Sequence, residues 1–178
     1  MEINVKNYFL FYEMEEKFFI DLGELKRKYY SKSRELHPDF YTQDAEAKQE
    51  EILALAAFNN DAYETLRHDN ERMEYILKQH DAIGEEGKNK LDQMFLMEMM
   101  DINEALMELQ MDFDQSAFEK VISEIKAIES ELYGEVEVAM RGYDQDKGVG
   151  RLEIIAKYYL KKKYLLRIKD NLDKFVDV

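Results

Sequence analysis

The chain has 178 residues, 25 basic against 39 acidic side chains, a net charge of −14, seven Gly, one Pro and no Cys. Disulfides, thiolate metal centres and cysteine nucleophiles are thereby excluded, and charge of this sign repels nucleic acid and anionic lipid unless a basic patch reverses it locally. Scarce turn residues, set against abundant Glu, Lys, Leu, Met and Ala, predict an all-α protein with no nucleic-acid or membrane partner.

Met1-Glu2-Ile3-Asn4 opens no apolar leader, and no apolar run approaches the ~18 residues of a membrane span, so a cytoplasmic protein is expected. Residues 7–11, Asn-Tyr-Phe-Leu-Phe, form a short apolar cluster ahead of the acidic Glu13-Met14-Glu15-Glu16. Asp21 suits a helix N-cap, with Glu24 three residues on completing a capping-box pattern. Leu22, Leu25, Tyr29 and Leu36 then keep helical spacing up to His37, where Pro38 forces a stop. After a polar loop, a second helix is predicted from about Ala45 to Leu66 and a shorter one from about Asn70 to Lys78.

Residues 82–90 carry two of the seven glycines and no apolar period, which predicts a linker between a domain over 1–81 and another over 91–178. The second holds three long amphipathic patterns, at about 91–111, 115–141 and 151–176, with short breaks at Met111–Asp114 and Gly142–Gly150. Short connections imply antiparallel neighbours, hence a three-helix bundle. Charge is uneven along the chain: residues 91–146 carry fifteen acids against three bases, and Glu24–Glu35 carries five bases against two acids.

His37-Pro38-Asp39 is the first candidate for chemistry. A His and a carboxylate two apart are able to act as an acid–base pair, but no nucleophile signature surrounds them, and Pro-Asp also marks a helix stop with a turn. His68 and His80 form no metal-ligand pattern with another His, and no metal or cofactor is expected. The context is more specific. A basic helix bearing Lys26, Arg27, Lys28, Lys32 and Arg34 leads into the tripeptide, and the next helix closes with Asn60-Asp61-Ala62-Tyr63-Glu64-Thr65-Leu66. This arrangement resembles a J-domain, an antiparallel helical hairpin with an HPD loop. Departures are Lys32, where many J-domains have an apolar residue, and Ser31 and Tyr30, where many have bases. The resemblance implies a non-enzymatic role, in which the tripeptide docks on a DnaK-class chaperone and stimulates its ATPase while the five bases meet an acidic surface.

Further along, Leu66–Leu77, Phe95-Leu96-Met97-Glu98 and the opening Asn7–Phe11 are similar to segments of HscB-type co-chaperones of iron–sulfur cluster assembly. The helix from Leu91 adds a reading of its own. At ~100° per residue, Leu91, Phe95, Met99, Ile102, Leu106 and Leu109 share one core-facing stripe. Leu96, Met100 and Met107 make a second apolar strip, grading through Met97 and Glu104 into Asp101 and Glu108. Such a strip either packs on the first domain or a third helix or, since methionine surfaces adapt to partners, is a candidate binding face.

The resemblance implies an L-shaped, two-domain adaptor. Its bundle would hold an IscU-type scaffold protein through Leu96, Met97, Met100, Asp101, Glu104 and Glu108, joined by Tyr159 of the last helix. Its J-domain would deliver that client to an HscA-type chaperone of the DnaK class. The alternative is an adaptor that brings a different client to such a chaperone.

Overall fold

The structure is a computed structural model that describes residues 7–84 and 91–176, with side chains to Leu172. Every regular element among the described residues is helical. In chain order these are α1 (Tyr8–Phe11), α2 (Leu22–Glu35), a 3₁₀ turn (Pro38–Tyr41), α3 (Glu46–Arg67), α4 (Asp69–Gln79), α5 (Gln93–Met111), α6 (Gln115–Asp146) and α7 (Val149–Val176). The chain divides into two units between Ile76 and Leu77, inside α4. Residues 85–90 of the stretch read as a linker lie outside the described residues.

In the first unit, Asp21 caps α2 as its position predicts, its side chain accepting the Gly23 and Glu24 N–H groups at 2.7 and 3.1 Å. The helix ends at Glu35, with Leu36 as C-cap, because the Pro38 ring disfavours helical backbone before it. Packing of α2 on α3 is antiparallel: Tyr29 stacks on Tyr63 at 4.2 Å, while Ser33, one turn later, meets Asn59, one turn earlier. Residues 7–11 are more than an apolar cluster. Asn7 caps a single helical turn with hydrogen bonds to the Phe9 and Leu10 N–H groups. That turn sets Tyr8 flat against Tyr75 at 4.4 Å, with the Tyr8 N–H donating to the Tyr75 hydroxyl, and sets Phe11 edge-on to Phe58.

Two buried polar side chains complete this unit. Asn59 places its main-chain oxygen and its Oδ1 each 2.8 Å from the Tyr12 hydroxyl, and its Nδ2 donates to Ser33 Oγ. Burial pushes the Tyr12 phenol well above its ordinary range. Arg72 donates to the Phe18 carbonyl, the Leu66 carbonyl and the Asp69 carboxylate. It therefore ties the chain before α2, the end of α3 and the start of α4 with one guanidinium, satisfying a carbonyl that the helix end leaves without a partner.

The second unit is built on α5, α6 and α7. Phe95, Met99, Ile102, Leu106 and Leu109 of α5 pack with Val121 and Ile125 of α6 and Leu165, Ile168 and Leu172 of α7. Asp92 caps α5 through the Phe95 N–H at 2.8 Å, and Asp114 caps α6 through the Ala117 N–H at 2.7 Å. The break expected at Gly142 is instead helix. An ideal Cβ on Gly142 would lie 2.6 Å from the Arg151 guanidinium, so this glycine serves close approach rather than a turn. The chain reverses later, where Lys147 takes the left-handed conformation (φ 56°, ψ 29°) and donates its N–H to the Tyr143 carbonyl at 2.9 Å. Asp146 holds the reversal, accepting from the Arg151 guanidinium and, with smaller effect, the Gly148 N–H, which keep its carboxyl below the usual carboxylate range.

Candidate interaction surfaces

His37 ends the first arm of the hairpin in extended backbone (φ −71°, ψ 123°), and Pro38 opens the 3₁₀ turn that follows. The His37 carbonyl accepts the Phe40 N–H at 3.1 Å, and its ring Nδ1 accepts the Asp39 N–H at 3.4 Å. In the neutral ring this leaves Nε2–H as a donor. The Asp39 carboxylate lies 3.7 Å from the same Nδ1, and the Tyr41 hydroxyl ties the loop back to the Glu35 carbonyl at 2.9 Å. His37, Pro38, Asp39 and Phe40 are all exposed, Phe40 at 70%. A local hydrogen-bonded turn thus displays an imidazole, a carboxylate and a phenyl ring to solvent, which suits docking more than turnover of a small substrate.

The five bases of α2 do not form one patch. At 100° per residue, Lys26, Arg27 and Arg34 share an outer face around the exposed ring of Tyr30, and none of the three has an ion pair among the described residues. Lys28 and Lys32 sit on another flank and are engaged there. Lys28 pairs with Glu24 at 3.7 Å and donates to the Glu13 carbonyl, while Lys32 pairs with Glu35 at 3.2 Å. The Lys32 ammonium also stands 5.6 Å from the Phe11 ring centre, so its stem and charge pack on an aromatic.

On α5 the core stripe read from the sequence is buried, and Leu91 is partly so. Of the second strip, Met97, Met100 and Met107 are exposed and Leu96 is half-buried, with Asp101, Glu104 and Glu108 exposed along its edge. Asp101 also borders a shallow cleft of about 420 Å³ between α5 and α6, lined with Glu98, Glu131 and Glu135 over Phe95, Ile128 and Leu132. Tyr159 is half-buried on α7. Lys161, two residues on and about 200° round the helix, pairs with Asp92 at 2.8 Å and covers the Phe95 ring at 5.2 Å, so the side of α7 that meets the start of α5 is that of Lys161 and not that of Tyr159. Lys161 and the Phe95 N–H together hold the Asp92 carboxyl below its usual range.

Sequence reasoning missed Asn59 and Arg72. The one signal available was Asn59 in the turn before Asn60–Leu66; nothing in the pattern marks Arg72 as buried.

Comparison with solved structures gives the class. The chain superposes on the crystal structure of human co-chaperone protein HscB with a TM-score of 0.73, at 28% identity over 99% of this chain and 85% of that one. It superposes on chaperone HscB from Vibrio cholerae with a TM-score of 0.67, at 23% identity over 96% of this chain and 98% of that one, a likeness of fold. The fold is thus all-α, a J-domain followed by a helical C-terminal domain, the class of fold that these co-chaperone structures share. Residues 91–173 match the family model of the HSCB C-terminal oligomerisation domain. Among curated relatives, the human iron-sulfur cluster co-chaperone protein HscB is 31% identical over 85% of this chain, which spans 63% of that protein. A co-chaperone protein HscB homolog of Colwellia psychrerythraea is 27% identical, with 96% of this chain matched to 97% of that one. The chain is thus similar to the HscB family of co-chaperones, in its C-terminal domain and in fold.

Proposed function

We propose that this protein is a two-site adaptor in iron–sulfur cluster assembly. The first unit docks on a DnaK-class chaperone of the HscA type through His37, Pro38 and Asp39, and stimulates its ATPase. The outer face of α5, with Leu96, Met97 and Met100 at its centre and Asp101, Glu104 and Glu108 along its edge, holds an IscU-type scaffold protein, and the resemblance adds Tyr159 of α7 to this site. The domains assigned are 1–81 for the chaperone and 91–178 for the scaffold, joined by 82–90.

The observation that carries this reading is that α5 buries one complete apolar stripe and still exposes a second apolar surface that a bundle helix does not need for its own packing. The displayed HPD turn supports the chaperone half, and its outer basic face supplies a local field for an acidic partner on a protein of net charge −14. ATP hydrolysis is the chaperone's chemistry, and the cluster is cargo ligated by the scaffold, since this chain offers no thiolate.

The test is the ATPase rate of a DnaK-class chaperone with this protein and a scaffold, singly and together. His37→Gln or Asp39→Asn is expected to abolish stimulation while stability moves by no more than about 0.5 kcal/mol, as for other exposed positions. Unfolding of either variant would make the tripeptide structural and remove the docking reading.

A further inference from the structure

Ten methionines occur in the chain. Five of them, Met94, Met97, Met100, Met107 and Met111, stand on α5 at 83, 59, 67, 65 and 90% exposure. The same helix keeps Met99, next to Met100, at 0%, and Met73 and Met140 are buried in other helices. Among the described residues, exposed thioether sulfur is therefore concentrated on one helix face, in a chain with no cysteine to react first. Leucine or isoleucine would supply the same apolar area without sulfur chemistry.

We propose that the outer face of α5 is a site of reversible methionine oxidation by peroxide, and that the sulfoxides close this face to its client; the second half rests on the client reading above. A lone pair on the thioether sulfur attacks one oxygen of hydrogen peroxide. The S–O bond forms as the O–O bond breaks, sulfur loses two electrons, and the hydroxide released takes the remaining proton and leaves as water. Solvent access to sulfur controls the rate, so the five exposed side chains react while Met99 is spared. Each sulfoxide replaces an adaptable apolar surface with a polar, chiral one. Because these side chains contribute nothing to the Phe95–Leu109 core, the change falls on binding and leaves the fold in place. Thiol-dependent methionine sulfoxide reductases, one for each sulfoxide epimer, return the thioether with oxidation of two thiols to a disulfide and release of water.

The experiment treats the full chain with hydrogen peroxide and follows three readouts: sulfoxide position by peptide mass mapping, melting by circular dichroism, and affinity for an IscU-type scaffold. The expected result is oxidation of Met94, Met97, Met100, Met107 and Met111 well before Met73, Met99 and Met140, with helicity kept. Scaffold affinity should fall by about tenfold or more and return after treatment with both reductases. Equal rates at Met99 and Met100 would overturn the site, as would melting that accompanies oxidation. Unchanged affinity of the oxidised protein, where the untreated protein binds, would overturn the closure. If the untreated protein fails to bind the scaffold at all, the client reading falls with the closure, while the mass map alone still decides the modification site.

Discussion

The two units solve opposite problems. The first must hold a short loop in one conformation, and it does so with rings and buried polar anchors. Tyr8 stacks on Tyr75, Tyr29 on Tyr63, and the two buried polar or charged side chains found among the described residues, Asn59 and Arg72, both lie here. Buried polar groups are strict about partners, so a network of this kind selects one arrangement. The bundle, on the function proposed above, offers a face, and an apolar core from α5, α6 and α7 is enough for that. The charge differs as well, with a basic outer face on α2 and fifteen acids against three bases over residues 91–146. Precision of a loop calls for directional contacts; presentation of a helix surface calls only for a rigid helix.

The sharpest way to break this contrast is a pair of shape-conserving core substitutions. Arg72→Met keeps most of the stem and leaves the Phe18 and Leu66 carbonyls without their donor, so destabilisation of about 3 kcal/mol is expected in urea titration. Met99→Leu in the bundle should cost less than about 1.5 kcal/mol, because an apolar core tolerates a swap of equal volume. Equal effects would mean that the first unit does not depend on directional contacts.

On the α5 face, a Leu96→Ala, Met100→Ala double variant should lose about tenfold or more in scaffold affinity by calorimetry, a change of about 1.4 kcal/mol. It should still melt as the parent does and still stimulate the chaperone on its own. Melting like a core variant would turn the strip into packing surface.

The split of the α2 bases sharpens the electrostatic side. Replacing Lys26, Arg27 and Arg34 by Glu should slow association with the chaperone more than replacing Lys28 and Lys32, whose charges already meet Glu24 and Glu35. The difference should shrink between about 0.1 and about 1 M salt as screening tightens. Stopped-flow rates across that range measure it, and a larger effect from the paired lysines would reverse the assignment.

The smallest effect belongs to Asp92→Asn. Asn caps a helix as well as Asp, so only the pair with Lys161 is lost, worth about 0.5 kcal/mol at so exposed a site. Because the folded state lowers the Asp92 pKa, that increment is present above the ordinary carboxylate range. It is lost as pH falls through the folded value. Parent and variant should therefore converge in melting temperature in acid.

Local chemistry was legible from the residues alone. Asp21 before an apolar period, Pro38 after His37, and the α5 stripe through Phe95 and Leu109 each rest on contacts within a few residues or on one helical period, and each stands in the structure. Gly142 misled because a glycine in a helix and a glycine in a turn look alike in sequence; only the Arg151 guanidinium lying where a Cβ would go tells them apart. The helical turn at Tyr8–Phe11 was hidden because one turn has no period to detect, and its order comes from Tyr75 and Phe58, about fifty or more residues away.

Sequence by itself thus determined the long helices apart from the end of α6, the HPD turn and which face of α5 turns inward, since propensity, capping and period act along the chain. The tertiary structure alone decided that Arg72 and Asn59 are buried and that Lys28 and Lys32 are already paired. It alone also left the α5 methionines uncovered. A side chain's partners, and with them its burial and free charge, come from residues distant in sequence, and no local pattern encodes those.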